Sequence, residues 1–425
     1  MFRQKLTDLI VWKDRLNRKP LVVNGARQVG KSWLIRELGK QHFSDNFIEL
    51  NFEKNLDYHA IFKQNLDPKR IIQQIGLITN RDIKMGRDLI FFDEIQMCPE
   101  ALMSLRYFYE EIPELHLIAA GSLLDFSFRN IPFPVGRVEF EILYPMSFYE
   151  FLLARNREKI AELLKYEPQS ITEYIENLIY EELMNYYVVG GMPECVKTFC
   201  EKSDFKLISE IQRDLINSFR LDFRKYSPQV DTDCLIDIIE NTTKRIGSQT
   251  IYSKLSDRFS NPTIKRGLNL LTTARLLQKI ENVNIGGLPL VPSGKQFKTS
   301  FLDIGLMMSV SRFDYRHAYI NKTLLGAFEG RLAEQFVAQQ ISTQKHELKY
   351  WARTEPGANA EVDFIAIYNN KITPIEVKAG LKGSLKSLHF LLKMYPGIDQ
   401  AIVFGKFKSG NVEKINFKPI YLAGF

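Results

Sequence analysis

The sequence predicts an α/β protein of several domains, and three stretches carry that expectation. In the first, Gly25-x-x-x-x-Gly30-Lys31-Ser32 lies between a short apolar run and a helical one. In the second, the apolar run Leu89–Phe92 ends in Asp93-Glu94. In the third, two alternating runs near the C-terminus carry Asp363 and then Glu376-x-Lys378. The first two put polar groups where a buried strand stops, which is where open α/β sheets bind ligands.

Taken in order, residues 1–20 are interrupted by charges throughout, so they read as neither signal peptide nor anchor. Leu6, Ile10, Val11 and Leu16 suggest an amphipathic helix instead. Pro20–Val23 reads as a buried strand entering a turn at Asn24-Gly25. Trp33, Leu34, Ile35 and Leu38 then recur at helical spacing until Gly39. The loop between them (Gly25, Ala26, Arg27, Gln28, Val29, Gly30, Lys31, Ser32, Trp33) therefore has the context a phosphate-binding P-loop requires. Its backbone N–H groups and the following helix terminus would converge on an anion. Lys31 would reach the β- and γ-phosphates and the Ser32 hydroxyl would ligate magnesium. An ordinary glycine-rich turn is the alternative. The second strand supplies the missing parts, with Asp93 holding the magnesium shell and Glu94 polarising the attacking water. A third strand, Leu115–Ser122, ends in a hydroxyl that could sense the γ-phosphate. The expected cofactors are ATP and Mg2+.

On these residues, positions 20 to about 150 resemble the ATPase core of the AAA superfamily. The closer resemblance is to the prokaryotic group in which that core precedes a conserved domain of unknown function. It implies ATP binding and hydrolysis by Gly25, Gly30, Lys31, Ser32, Asp93 and Glu94, with Ser122 in the first sensor position. It also implies an arginine near the phosphates or a neighbouring subunit's site. Arg137 is the candidate and Arg129 its competitor; a surface arginine held by Glu139 or Glu141 is the alternative. Gly190-Gly191 and Pro193, in another family-like stretch, are expected to shape a turn.

Composition narrows the setting. The chain has 425 residues, with 57 Lys and Arg against 50 Asp and Glu, for a net charge of +7. No apolar run approaches the ~18 residues that span a bilayer, so no membrane partner is expected. Cys98, Cys195, Cys200 and Cys234 show no C-x-x-C spacing, which fits a reducing cytoplasm. Between Lys244 and Lys298, ten basic residues are opposed only by Asp257 and Glu281. Such a stretch suits a polyanion partner, with DNA first among nucleic acids, although a solvated face would look the same.

Beyond the ATPase core at 1–150, residues 151–232 read as a helical lid. Residues 233–293 read as three helices, the third beginning near Thr263, followed by a hairpin at Gly286-Gly287. That is the plan of a winged helix, whose third helix would present Lys265, Arg266 and Asn269 to a groove. Protein docking is the alternative use. Residues 294–425 form the last domain. There the Asn369-Asn370 turn would bring Asp363 level with Glu376 and Lys378, which share one face of their strand. The set resembles the PD-(D/E)XK nuclease signature, with Val362 where the signature has proline, and so implies a restriction-endonuclease-type α/β domain. Asp363 and Glu376 would hold divalent metal at a phosphate while Lys378 steadies the hydroxide. Glu334, on an amphipathic helix, would add a third carboxylate, with Glu329 its rival. A solvent-facing Glu-Lys pair is the alternative.

Together these features predict an ATP-dependent protein acting on nucleic acid, with metal-dependent DNA cleavage and homo-oligomerisation both open. The rival is a nucleotide-gated switch or scaffold whose nuclease-like domain only docks. A sequence-specific regulator is a third reading.

Overall fold

The first sheet forms around three central strands, Leu21–Asn24, Leu89–Asp93 and His116–Ala120, that are buried at every position, the pattern of parallel strands covered on both faces, whereas its outer strands carry Glu49, Glu139 and Glu141. In the computed structural model, residues 1–122, 136–168, 170–226, 230–311, 324–353, 355, 359–380 and 384–425 are described, with side chains left aside at 224–226 and 324–329. Two compact units result, Arg3–Tyr144 and Pro145–Phe425 together with Met1–Phe2.

In Arg3–Tyr144 the strands are β1 (Leu21–Asn24), β2 (Phe47–Asn51), β3 (Leu89–Asp93), β4 (His116–Ala120) and β5 (Glu139–Ile142). They run parallel in the order β2-β3-β4-β1-β5. Helices α1 (Lys5–Lys13), α2 (Lys31–His42), α3 (Ala60–Lys63), α4 (Pro68–Thr79) and α5 (Pro99–Glu111) accompany them. Asp67 starts α4 by accepting from Lys69 N, with Pro68 in the first turn where it costs no hydrogen bond. Phe52, Phe62 and Phe92 meet edge to face at 5.5–5.6 Å in the core between the sheet and α3–α5. The register sets Asn51 level with Asp93, Asp93 with Ala120, and Ala120 with Val23. The loops that follow β1, β3 and β4 therefore emerge at one edge. The helix expected near the N-terminus forms, but its buried face is Leu9 and Trp12; Val11 and Leu16 are 54% and 93% exposed.

The second unit opens with α6 (Phe148–Ala154), α7 (Glu158–Lys165), α8 (Glu173–Val189), α9 (Pro193–Lys202), α10 (Phe205–Tyr226) and α11 (Thr232–Thr243). Ser147 and Glu150 form a capping box on α6. Gly190-Gly191 makes the turn between α8 and α9. Gly190 has φ +75°, and a Cβ there would stand 2.1 Å from Asp303 Oδ1, so the position excludes any side chain. The buried Asp303 accepts from Gly191 N at 2.6 Å and caps α13 (Ile304–Val310) through Leu306 N at 3.0 Å.

Between 233 and 293 the second of the three expected helices is only a 3-10 turn, Tyr252–Lys254. Helix α12 (Asn261–Thr273) begins two residues before Thr263 because Pro262 can open its first turn. The hairpin strands β6 (Leu277–Asn284) and β7 (Val291–Phe301) follow, and β7 runs across the boundary expected at 293/294. The hairpin also joins the next sheet, for Asn282 pairs with Tyr350 and its side chain bonds both N and O of Ala352.

That sheet contains β8 (Lys349–Ala352), β9 (Glu361–Tyr368), β10 (Lys371–Lys378), β11 (Ala401–Gly405), β12 (Gly410–Val412) and β13 (Ile415–Pro419). The eight strands lie in the order β12-β13-β11-β10-β9-β8-β6-β7. Asn369 and Asn370 both take left-handed φ, 49° and 61°, giving the mirror-image two-residue turn of a tight hairpin. The antiparallel run β8-β9-β10 passes through α15 (Lys386–Met394) to β11, which is parallel to β10. Helix α14 (Leu324–Thr343), expected to be amphipathic, is instead buried almost all round from Leu332 to Ile341. Its Gln335, Gln339 and Gln340 make this tolerable by satisfying buried backbone groups of Phe301, Ile304 and Phe148.

Candidate functional site

The loop after β1 closes tightly. A Cβ on Gly25 would lie 2.4 Å from the Leu143 carbonyl, so only glycine fits beside the end of β5. Gln28 and Gly30 take left-handed φ of +62° and +93°, the kind of backbone that anion-binding loops use, and α2 starts at once with Lys31. The Lys31 ammonium is buried within the loop, 3.1 Å from Gly25 O and 2.9 Å from Ala26 O. The Ser32 hydroxyl donates to Asp93 Oδ1 at 2.7 Å, joining the two expected halves of the site across β1 and β3.

Asp93 is buried and accepts further from Asn51 Nδ2 at 2.9 Å and Arg36 at 3.1 Å. Burial pushes its carboxyl pKa up; the Ser32 hydrogen bond opposes the shift and Glu94 adds to it. A cation placed against this oxygen would relieve the penalty. Hydroxyl and carboxylate oxygens are the donors magnesium takes, so Ser32 and Asp93 fit Mg2+. Glu94 sits at φ +52°, a conformation that costs energy in a non-glycine residue and gathers at functional positions. Its Oε2 accepts from Gln96 Nε2 at 2.5 Å.

Asn51, Arg36 and Gln96 escaped the sequence reading, as did Arg3, whose buried guanidinium donates to Val29 O at 2.8 Å and Tyr144 O at 2.6 Å. Asn51 was findable as the polar end of an apolar strand; nothing in the sequence marks Arg3. Ala26, Arg27, Val29 and Trp33 lie in or beside the loop, with Trp33 exposed on α2, and Ser122 follows β4 two residues beyond Ala120. Arg137 is not beside this chain's own loop. Glu139 pairs with Leu21, at the end of β1 remote from the loop, so Arg137 is on the order of 15 Å along the strand direction from the phosphate edge. It is 45% exposed and bonds Glu110 at 2.9 Å, while the expected partners Glu139 and Glu141 take Arg15 and Lys5. Arg129 lies outside the described residues.

In the second unit, the register that pairs Ile375 with Phe364 puts Glu376 opposite Asp363. Lys378 Nζ bonds Glu376 Oε1 at 2.6 Å, and Asp363 Oδ2 accepts from Val377 N at 2.8 Å. The Glu376 carboxyl, pushed up by burial and then by Asp363, reaches a pKa of about 7. Glu334 on α14 joins the group, also raised by burial and Asp363. The side chain of Glu329 lies outside those described. A fourth carboxylate and a second lysine were not foreseen. Lys298 on β7 bonds Glu361 Oε1 at 2.5 Å, Asp363 Oδ1 at 3.3 Å and Glu334 Oε2 at 3.4 Å. Two of the three carboxylates expected to hold metal thus hold an ammonium. Among the described residues, no group of three or more His, Cys, Asp or Glu is arranged to bind a metal ion.

The basic stretch also divides. Lys298 is buried and Arg258 pairs with Asp237, whereas Lys265, Arg266 and Asn269 are exposed on α12. Among the described residues, no helix is long and apolar enough to cross a membrane.

Comparison with known proteins finds matches along most of the chain. Residues 17–152 match an AAA domain, and 180–317 and 329–417 each match a domain of unknown function. An uncharacterized protein of Haemophilus influenzae is 24% identical over 421 residues, covering 95% of this chain and 92% of its own. The uncharacterized protein MJ1544 of Methanocaldococcus jannaschii is 25% identical over 252 residues, 55% of this chain and 53% of its own. Among solved structures, the Walker-type ATPase of Pyrococcus abyssi aligns at 17% identity and TM-score 0.47, over 73% of this chain and 95% of that one. The AAA match, which spans the Lys31–Ser32–Asp93 constellation, supports ATP binding and hydrolysis. The chain carries an AAA-domain P-loop ATPase at its N-terminus, followed by two domains of unknown function.

Proposed function

We propose that this protein is an ATP-driven switch that binds nucleic acid through its second unit and does not cut it. The ATP half rests on the Ser32–Asp93 hydrogen bond, which brings the loop hydroxyl and the β3 carboxylate to one point beside the buried Lys31. In this reading the loop amides and Lys31 hold the phosphates, Ser32 and Asp93 hold Mg2+, and Glu94 orients the attacking water. Magnesium held by Ser32 and Asp93 would neutralise charge developing on the phosphates.

The nucleic-acid half rests on α12. Its inner face buries Ile264, Leu268 and Leu271, leaving Lys265, Arg266 and Asn269 outside, next to the β6–β7 hairpin. We read 233–293 as a winged helix, with its wing drawn into the larger sheet, and 151–232 as the lid. The strand plan β8-β9-β10, then α15 and parallel β11, supports a nuclease-like fold for 294–425. Lys298 among its carboxylates favours docking over cleavage.

The test is ATP turnover and DNA binding by the full chain, with Lys265→Glu/Arg266→Glu beside it. Binding should weaken for all sequences alike, and the salt dependence should fall by about one unit for each phosphate no longer neutralised. A folded double variant that binds DNA as the wild type does would leave α12 to protein docking.

A further inference from the structure

We infer that the ammonium of Lys298 is the resident cation of the Glu334–Glu361–Asp363 cluster and keeps divalent metal out of it. Lys298 comes from β7, whereas Glu361, Asp363, Glu376 and Lys378 come from β9 and β10, and Glu334 from α14. Its side chain is 1% exposed, with Nζ 5.6 and 5.8 Å from the ring centroids of Tyr350 and Phe364. An ammonium has three donors, and three carboxylate oxygens receive them. So complete a shell is what a buried charge requires.

A divalent ion in that cluster would need the same oxygens. Magnesium takes oxygens at about 2.0–2.1 Å in near-octahedral geometry and keeps several of its waters. Two of the oxygens nearest the centre here stand 3.3 and 3.4 Å from the lysine nitrogen. The adjoining cavity, lined by Gly247, Lys298, Glu334 and Phe364, measures about 10 Å3, room for about one water. Metal could enter the Glu334–Glu361–Asp363 cluster only if Lys298 left, and β7 is pinned on both sides of it. At Phe297 paired backbone bonds of 2.8 and 3.0 Å tie the strand to Thr250, and at Phe301 Gln335 bonds both N and O, at 2.8 and 2.9 Å. A withdrawn ammonium would also have to cross buried neighbours, since Phe297 to Phe301 are all buried.

The charges agree with this assignment. Burial pulls the Lys298 pKa down, but Asp363, Glu334 and Glu361 outweigh it and leave the group raised, firmly a cation. An ammonium carries no water that it could convert to hydroxide, so a cluster filled this way holds strands together without hydrolysing a phosphodiester. This rests on the docking reading only in its consequence for DNA; the occupancy of the cluster is a separate claim with its own measurement.

The measurement is Mn2+ binding to the nucleotide-free full chain, followed by electron paramagnetic resonance and by calorimetry. Wild type and Asp363→Asn should bind Mn2+ alike, because any ion at Ser32 and Asp93 is common to both. Lys298→Gln should gain one Mn2+ site, at least tenfold tighter than any in the wild type, and Lys298→Gln/Asp363→Asn should lose it. A wild-type Mn2+ site that disappears in Asp363→Asn overturns the inference, whether or not ATP turnover and DNA binding behave as proposed. So does a folded Lys298→Gln protein that gains no site. If Lys298→Gln does not fold, the comparison of wild type with Asp363→Asn decides the question alone.

Discussion

Replacing Asp93 by asparagine separates what the site does from what the fold needs, because the two effects should differ greatly in size. In the folded chain Asp93 is a buried carboxylate whose pKa is raised by its burial. Asparagine keeps the shape and can still accept from Ser32 or Asn51. It gives up the ion pair with Arg36, whose side chain is 49% exposed; such half-exposed pairs contribute about 0–1 kcal/mol. It also removes the desolvation cost of the charge, which acts in the opposite direction. Unfolding free energy should therefore stay within about 1 kcal/mol of wild type. Catalysis has no such compensation. Removing one charge-stabilising group from a water-excluded site costs roughly 10²–10³ in rate, so phosphate release should fall by that factor. Both quantities are read on one preparation, by urea denaturation without nucleotide and by steady-state phosphate release with Mg2+-ATP. Wild-type turnover in Asp93→Asn would refute the assignment of Asp93 to the metal. A destabilisation well beyond about 3 kcal/mol, the upper range for one buried polar group, would show instead that the carboxylate serves the fold.

Lys31→Ala should abolish ATP binding measured by calorimetry, since the loop loses its one side-chain cation directed at the β- and γ-phosphates; Glu94→Gln should bind ATP normally and turn it over far more slowly. If both keep wild-type rates, the nucleotide site is elsewhere. In the second unit, burial pushes the Asp303 carboxyl to a pKa of about 6, from 3.8, against the pull of its hydrogen bond from Gly191. A group raised on folding gives its stability in full below the unfolded pKa and loses it as pH rises through the folded one. Stability should thus decline between about pH 4 and 6, and Asp303→Asn should flatten that decline in urea titrations. An unchanged slope would mean that Asp303 is ionised throughout.

The sequence by itself determined the residues of the proposed ATP site. Gly25, Gly30, Lys31, Ser32, Asp93 and Glu94 each sit at the end of an apolar strand or the start of a helix, and those local signals survive any arrangement of the rest. The Asn369-Asn370 turn was legible for the same reason: a two-residue hairpin fixes its own register, and with it the pairing of Asp363 with Glu376. Other features depended on contacts between distant segments. Val11 and Leu16 fit a helical stripe as well as Leu9 and Trp12 do, and only packing chose between them. Arg137 stands near the right place in the chain, yet the parallel register of β5 on β1 carries it to the opposite edge of the sheet. Gln335, Gln339 and Gln340 carry no sign in the sequence of being buried, and only their partners on other elements account for it. Lys298 is the clearest case. In sequence it was one more charge in a basic stretch, 65 residues from Asp363. Tertiary structure makes it the counter-ion of three carboxylates, because a long side chain's charge is balanced by whatever lies within a few ångströms, and sequence distance carries no record of that.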